Sequence, residues 1–203
     1  MKSRDPEKLK AYLEKTAGII EESVDDLLPM EDAHPESIHS VMRHSIFAGG
    51  KRIRPALLFA ANEACGGDFG NRDAVVTASA LEMLHTFSLM HDDLPCMDDD
   101  DFRRGKPTAH KAFNEAIAIL GGDALCIFAF EVLSRTGRAD IIGVISSALG
   151  TRGMIAGQVV DIESENMKVN KDIVNYIHMN KTAALIRASI LSGAMLADAS
   201  DEE

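Results

Sequence analysis

The 203 residues contain no tryptophan and only two tyrosines, and aromatic residues make up 5% of the chain. The three cysteines, Cys65, Cys96 and Cys126, are far apart, odd in number and without metal-ligand spacing. That argues against a disulfide framework or a cysteine-bound zinc and fits a reduced, cytoplasmic compartment. Positive charge is scarce as well: 21 Lys and Arg stand against 32 Asp and Glu, for a net charge of −11. Such a surface is a poor partner for nucleic acid or an anionic membrane. No uninterrupted run of 18 apolar residues occurs, and Met1–Asp5 is too polar to open a signal peptide, so no stable membrane anchor is expected. Alternating β-branched runs, internal repeats, low-complexity tracts and interdomain linkers are all missing, which leaves residues 1–203 as a single domain.

Helical periodicity is what remains. Ala, Leu, Met and Ile are abundant, and hydrophobic residues make up 46% of the chain, enough for one substantial core. The spacing predicts about seven helices. The first four run from Pro6 to Leu28, from Pro35 to Phe47, from Pro55 to Cys65, and from Arg72 into an acidic cluster. The others run from Asn114 to Thr136, Ala139 to Asn166, and Asn170 to Ala197. Gly49-Gly50 and Gly66-Gly67 punctuate the chain. The helix from Asn114 is apolar almost all round, which places it at the centre of an all-α bundle with Gly121-Gly122 allowing a close helix contact.

The chemistry concentrates in His91-Asp-Asp-Leu-Pro-Cys-Met-Asp-Asp-Asp-Asp101. Asp92, Asp93, Asp98, Asp99, Asp100 and Asp101 fall within ten residues, and Arg103, Arg104 and Lys106 follow. Two unit charges about 5 Å apart repel by roughly 3 kcal/mol at an effective dielectric of about 20, so such a cluster invites a cation. Carboxylate oxygens suit magnesium, and neighbouring arginines suit the phosphate oxygens that magnesium also binds. A solvated acidic loop is the alternative. Against it stands the apolar stripe Val76, Ala80, Met83, Phe87, Met90 and Leu94, which marks a buried helix ending at Asp92-Asp93. The helix dipole disfavours anions there. Pro95 then breaks the helix and lets Asp98 fold back toward Asp92.

A second cluster, Gly49-Gly-Lys-Arg-Ile-Arg-Pro55, puts three cations beside flexible backbone and suits an anion, although a solvated basic turn has the same composition. Two basic patches and one acidic patch suggest two phosphate-bearing substrates, one of them metal-bound. His85 shares a helix face with Asp92, as a core histidine or as a ligand. Gln158 and Asp161 lie one turn apart on another helix, on an ordinary surface or in a site. Lys181-Thr182 interrupts the last apolar run, with the lysine either snorkelling or reaching a ligand.

Taken together, Gly49–Pro55, Leu81-Glu-Met-Leu-His85, His91–Asp98 with Arg103–Thr108, Gly121-Gly-Asp123, Gly157-Gln158 with Asp161, and Lys181-Thr182 resemble the trans-isoprenyl diphosphate synthases. This is the polyprenyl synthetase family of farnesyl and geranylgeranyl diphosphate synthases. The resemblance implies an isoprenoid-synthase helical bundle around a central cavity, commonly a homodimer. It implies magnesium, two or three ions in a complete enzyme, on Asp92 and Asp98 with Asp93 assisting. By position, Lys51, Arg54, His85 and Arg104 would hold isopentenyl diphosphate, and Arg103, Gln158, Lys181 and Thr182 an allylic diphosphate. The implied reaction ionises the allylic diphosphate, adds isopentenyl diphosphate to the cation and loses a proton. Asp92, Asp93, Asp98 and Lys181 form its catalytic group.

Phe87 lies five residues before Asp92, about 7.5 Å along a helix, and an aromatic there resembles bacterial farnesyl synthases. A fifteen-carbon product is the expectation and a twenty-carbon one the alternative. Family members carry a second aspartate-rich motif on a later helix, which these residues lack. Ala199–Glu203 reads like the start of another helix, with Ser200 or Asp201 as cap. The chain is therefore expected to be a fragment with its C-terminal helices missing, weakly active or inactive alone. A non-catalytic subunit and a diphosphate-binding module are the readings from other classes, and a terpene cyclase ranks below both.

Overall fold

The computed structural model describes residues 5–168 and 170–200. The polar N-terminus before Asp5 and the cap expected at Asp201 fall outside them. The described residues form a helical bundle with one small hairpin.

Helix α1 (Pro6–Leu27) starts where the Asp5 carboxylate accepts from the backbone N–H groups of Glu7 and Lys8, satisfying donors that a helix start leaves unpaired. Helices α2 (Glu36–Ile46) and α3 (Ile53–Ala64) follow. The third begins two residues earlier than Pro55 because proline fits a first turn as its second or third residue. Helix α4 (Arg72–Asp92) is capped by the Asn71 side chain. All residues from Thr77 to Leu84 are buried, and α1, α2, α3, α6 (Glu115–Ser134) and α10 (Ala184–Leu196) pack around α4.

The bundle axis is therefore α4 and not the helix from Asn114. Helix α6 is apolar throughout, but only one side of it is covered: Ala118, Gly121, Gly122, Leu125, Ala129, Val132 and Leu133 are buried, while Ile119, Leu120 and Ile127 are exposed. Its glycines do permit close contact, since a Cβ at Gly121 would overlap Val41 and one at Gly122 the His91 ring. By length and apolar composition alone, Glu115–Ser134 also matches a membrane-crossing helix, as does the stretch Ala139–Ser164. A core helix has the same length and composition, and α6 packs here along α4 and α2.

The stretch expected as one helix from Ala139 is two, α7 (Ala139–Leu149) and α8 (Met154–Ser164), broken around Gly150 and Gly153. The last expected helix is α9 (Lys171–Ile177), a π-helical turn (His178–Ala183) and α10. The strands β1 (Phe102–Arg103) and β2 (Lys106–Pro107) were not anticipated. Arg104 and Gly105 join them with φ of 54° and 81°, the positive values that a two-residue hairpin turn requires. A four-residue helix, α5 (Ala109–Ala112), follows.

Candidate active site

Two adjoining cavities meet at the lower half of α4. One, of about 380 Å³, is walled by Phe87, Met97, Met154, Ile155, Val159 and Ile162, with Asp92, Gln158, Lys181 and Thr182 supplying polar groups. The other, an open cleft of about 600 Å³, is lined by Gly49, Gly50, Lys51, Arg54, His85 and Arg104. Arg54 and His85 line both. A cleft of cations thus opens beside a largely apolar cavity that has an acidic corner.

The acidic corner follows from how α4 ends. Asp92 is its last residue and Asp93 its C-cap. The chain then doubles back, so that the Asp98 N–H donates to the Asp92 carbonyl at 2.9 Å, the return that Pro95 suggests. Gln158 Nε2 donates to Asp92 Oδ1. Lys181 Nζ donates to Asp161 Oδ2 at 2.7 Å and lies 3.6 Å from Asp92 Oδ2. Burial lowers the Lys181 pKa, but Asp161, Asp92 and Asp98 outweigh it and hold the ammonium charged. Burial and the neighbouring Asp92 raise the pKa of Asp98. A pair of oxygen donors with surplus negative charge is the donor set a hard divalent cation takes.

Two features bring Lys181 to Asp92. The π-helical turn adds a residue to the helical repeat around position 181. Gly157 lets α8 approach that turn, since a Cβ there would overlap the Lys181 backbone nitrogen.

Asp93 has a different partner. It is 3% exposed, and its carboxylate accepts from both Arg103 Nε, at 2.7 Å, and Arg103 Nη2. Burial raises the Asp93 pKa against the pull of Arg103, and the bond holds the Arg103 proton more firmly. Arg103 therefore stands apart from Gln158, Lys181 and Thr182, with which the resemblance grouped it. Arg103 and Asp93 instead border a separate cavity of about 30 Å³ beneath the hairpin. Among the described residues, Asp99, Asp101 and His110 also bring metal-ligating atoms within 4.8 Å of one another, with both aspartates exposed.

The basic cleft brings together all four residues expected there, Lys51, Arg54, His85 and Arg104. The hairpin turn aims Arg104 back at the Gly49 carbonyl, to which its Nη1 donates, and Lys106 Nζ donates to the Phe47 carbonyl at 3.0 Å. Arg54 Nε is buried without a hydrogen-bond partner, a donor left over for a bound anion. Burial lowers the pKa of Arg54 and of Arg104. His85 is pushed down to about 3, by burial first and then by Arg54, Arg104, Arg103 and Arg52. It is therefore neutral at neutral pH and can both donate and accept a hydrogen bond.

Two residues here escaped the sequence reading. Glu82 and Arg52 form a buried ion pair in the floor of the cleft, which both also line, with Arg52 Nη1 donating to Glu82 Oε1 at 2.8 Å. A lone glutamate inside Ala78–Leu84, otherwise apolar or small, was the available signal.

The model of the polyprenyl synthetase family matches residues 35–203. The chain belongs to that family. The large subunit 1 of a heterodimeric geranylgeranyl pyrophosphate synthase of Arabidopsis thaliana is 45% identical over 95% of this chain and 54% of its own length. A farnesyl diphosphate synthase of Bacillus subtilis is 45% identical over 83% of this chain and 59% of its own. A solved FPP/GFPP synthase from Zymomonas mobilis superposes with a TM-score of 0.90 at 35% identity, covering 96% of this chain and 73% of that one. The polyprenyl synthetase fold found here is thus the all-α bundle expected from the motifs. The chain spans little more than half the length of these curated relatives.

Proposed function

We propose that this polyprenyl synthetase chain belongs to a prenyltransferase that joins isopentenyl diphosphate to an allylic diphosphate such as dimethylallyl or geranyl diphosphate. The observation that carries the reading is the pair of adjoining cavities, one cationic and one acidic and apolar, sharing Arg54 and His85. In this reading the basic cleft binds isopentenyl diphosphate through Lys51, Arg54, His85 and Arg104. Gln158, Lys181 and Thr182 hold the allylic diphosphate at the acidic corner, with Arg103 anchored nearby on Asp93. Asp92 and Asp98 hold magnesium, which supplies positive charge against the departing diphosphate; two or three ions are assigned to the complete enzyme. Lys181 adds fixed charge on the same side. The apolar walls of Phe87 and Met154 keep water from the reactive carbon.

Farnesyl diphosphate is the product favoured here, because Phe87 intrudes into the cavity and stacks edge-on against His91, with ring centroids 5.8 Å apart. Geranylgeranyl diphosphate is the alternative, since relatives bear both names. The exposed apolar side of α6 supports a homodimer, and a heteromer has its precedent in the Arabidopsis relative's name. Three separated free cysteines support a cytoplasmic setting. The 203 residues alone are assigned weak activity or none. The cavity walls Ile155, Val159 and Ile162 are exposed, which favours self-association.

The test is incubation with geranyl diphosphate, isopentenyl diphosphate and magnesium, read by product chain length alongside intact mass. Farnesyl diphosphate formation supports the reaction. Turnover comparable with a full-length synthase by material of the 203-residue mass overturns the expectation for the chain alone. A stable heteromer with a complete synthase favours the non-catalytic subunit, and tight diphosphate binding without ionisation, even when the missing helices are supplied, favours the binding module.

A further inference from the structure

Arg52 belongs to the cation cluster by sequence and borders the cleft, but its guanidinium is buried among the helices at the cleft floor. Its backbone is left-handed, with φ 48° and ψ 42°, a conformation that side chains adopt only when their surroundings hold them there. Its side chain is 2% exposed and reaches three other helices. Nη1 donates to Glu82 Oε1 on α4 at 2.8 Å, Nη2 donates to the Ile46 carbonyl at the end of α2 at 2.7 Å, and Nη2 lies 3.6 Å from Glu21 Oε1 on α1.

A buried ion pair is a poor stabiliser, because desolvating two charges costs about as much as their attraction returns, and apolar replacements often serve the fold as well. Stability alone therefore does not explain why Glu82 interrupts the core face of α4. The position does. Lys51 and Arg54 flank Arg52 on both sides, and Gly49 and Gly50, with φ of 93° and 137°, leave the preceding backbone free to take other shapes. The forked guanidinium, held at both Nη atoms, fixes one of them.

We infer that Arg52 and Glu82 are a positioning pair, holding residues 49–54 in the one backbone arrangement that turns both Lys51 and Arg54 into the cleft, and thereby setting its affinity for an organic diphosphate. The inference rests on the diphosphate reading of that cleft. Both side chains lie in the cleft floor at 2% exposure, so their effect passes through the loop.

The test uses the whole chain carrying the double substitution Arg52→Met with Glu82→Leu, which removes both charges and keeps the buried volume. Isopentenyl diphosphate is titrated calorimetrically in EDTA, and geranyl diphosphate in magnesium. The expected result is an unchanged or higher melting temperature with isopentenyl diphosphate bound about tenfold or more weakly, the size of one charge-assisted contact. Geranyl diphosphate affinity stays within about twofold, a difference well under 1 kcal/mol. A loss below about fivefold, or an equal loss for both ligands, overturns the inference. If the double variant melts well below the parent chain, Arg52→Lys, which keeps the charge but not the fork, is held to the same criterion. Failure of the unsubstituted chain to bind isopentenyl diphosphate overturns the diphosphate reading itself and the positioning role with it.

Discussion

The two ends of the site carry charge in opposite ways. At the acidic corner Asp92 and Lys181 have partners they can exchange. Asp92 is shared between Gln158 and Lys181, and Lys181 between Asp92 and Asp161. At the basic cleft the cations face open space, and what holds them is buried and fixed: the Arg52–Glu82 pair, a neutral His85, and a hairpin tied to Gly49 and Phe47. The contrast fits a division of labour. A site that takes up a metal ion with its substrate needs carboxylates whose resident cations can move aside, whereas a site that takes a bare diphosphate needs donors set in place beforehand.

The largest break in that contrast should come from Asp92→Asn. Loss of one charged ligand is expected to weaken magnesium-dependent binding of geranyl diphosphate by about a hundredfold, in line with roughly 3 kcal/mol per such group. Isopentenyl diphosphate binding in EDTA should barely change, and calorimetry on both ligands reads the difference directly.

Gly157→Ala comes next. The added methyl has no room against the Lys181 backbone, and overpacking of this kind costs about 1–3 kcal/mol. A fall in melting temperature of roughly 2–10 °C is expected for a chain of this size, together with weaker geranyl diphosphate binding. An undisturbed acidic corner would mean that the α8 contact does not position Lys181.

Protons probe the fixed end. The folded pKa of His85 lies at about 3, below its ordinary 6.5. The unfolded chain therefore takes up a proton first, and the stability gained from keeping His85 neutral is complete only above pH 6.5 and is lost as pH falls toward 3. Linkage gives a loss of about 2 kcal/mol by pH 5. Denaturant midpoints measured from pH 7.5 to 5 should show this decline, and His85→Gln should flatten it; an identical decline in the variant would assign the effect to other groups.

The smallest effect on stability, and the sharpest on specificity, is expected from Phe87→Ala. Phe87 is only partly buried and its ring borders open cavity, so its removal leaves little new void to collapse. The ratio of farnesyl to geranylgeranyl diphosphate affinity should shift about tenfold toward the longer chain. An unchanged ratio, or an unchanged product spectrum wherever turnover is measurable, removes Phe87 from the floor of the cavity.

Much of the bundle could be read in the residues because helix starts are chemically explicit. Asp5, Asn71, Asn114 and Asn170 each cap the helix after them through their side chains. The centre was misplaced for a physical reason. Helix α6 is the more apolar, but α4 is the more enclosed, and its Ala, Ser and Thr residues are buried because neighbouring helices need small side chains there. Apolarity reports what a helix can bury, not what covers it. At the site, groups joined by helical spacing were legible, as with His85 and Asp92 on one face of α4. The pairing of Arg103 with Asp93 was not, because it depends on a hairpin of four strand residues and a two-residue turn with little hydrophobic pattern. The Arg52–Glu82 pair was hidden too, since 30 residues separate partners that sequence spacing alone cannot bring together.

The most direct measurement is a pair of calorimetric titrations on the unsubstituted chain. Isopentenyl diphosphate is added with and without magnesium, and then geranyl diphosphate is added to the chain already saturated with it. Two independent sites predict that isopentenyl diphosphate binds without magnesium, that geranyl diphosphate requires magnesium, and that neither displaces the other. Competition between the two for a single magnesium-dependent site would contradict the account.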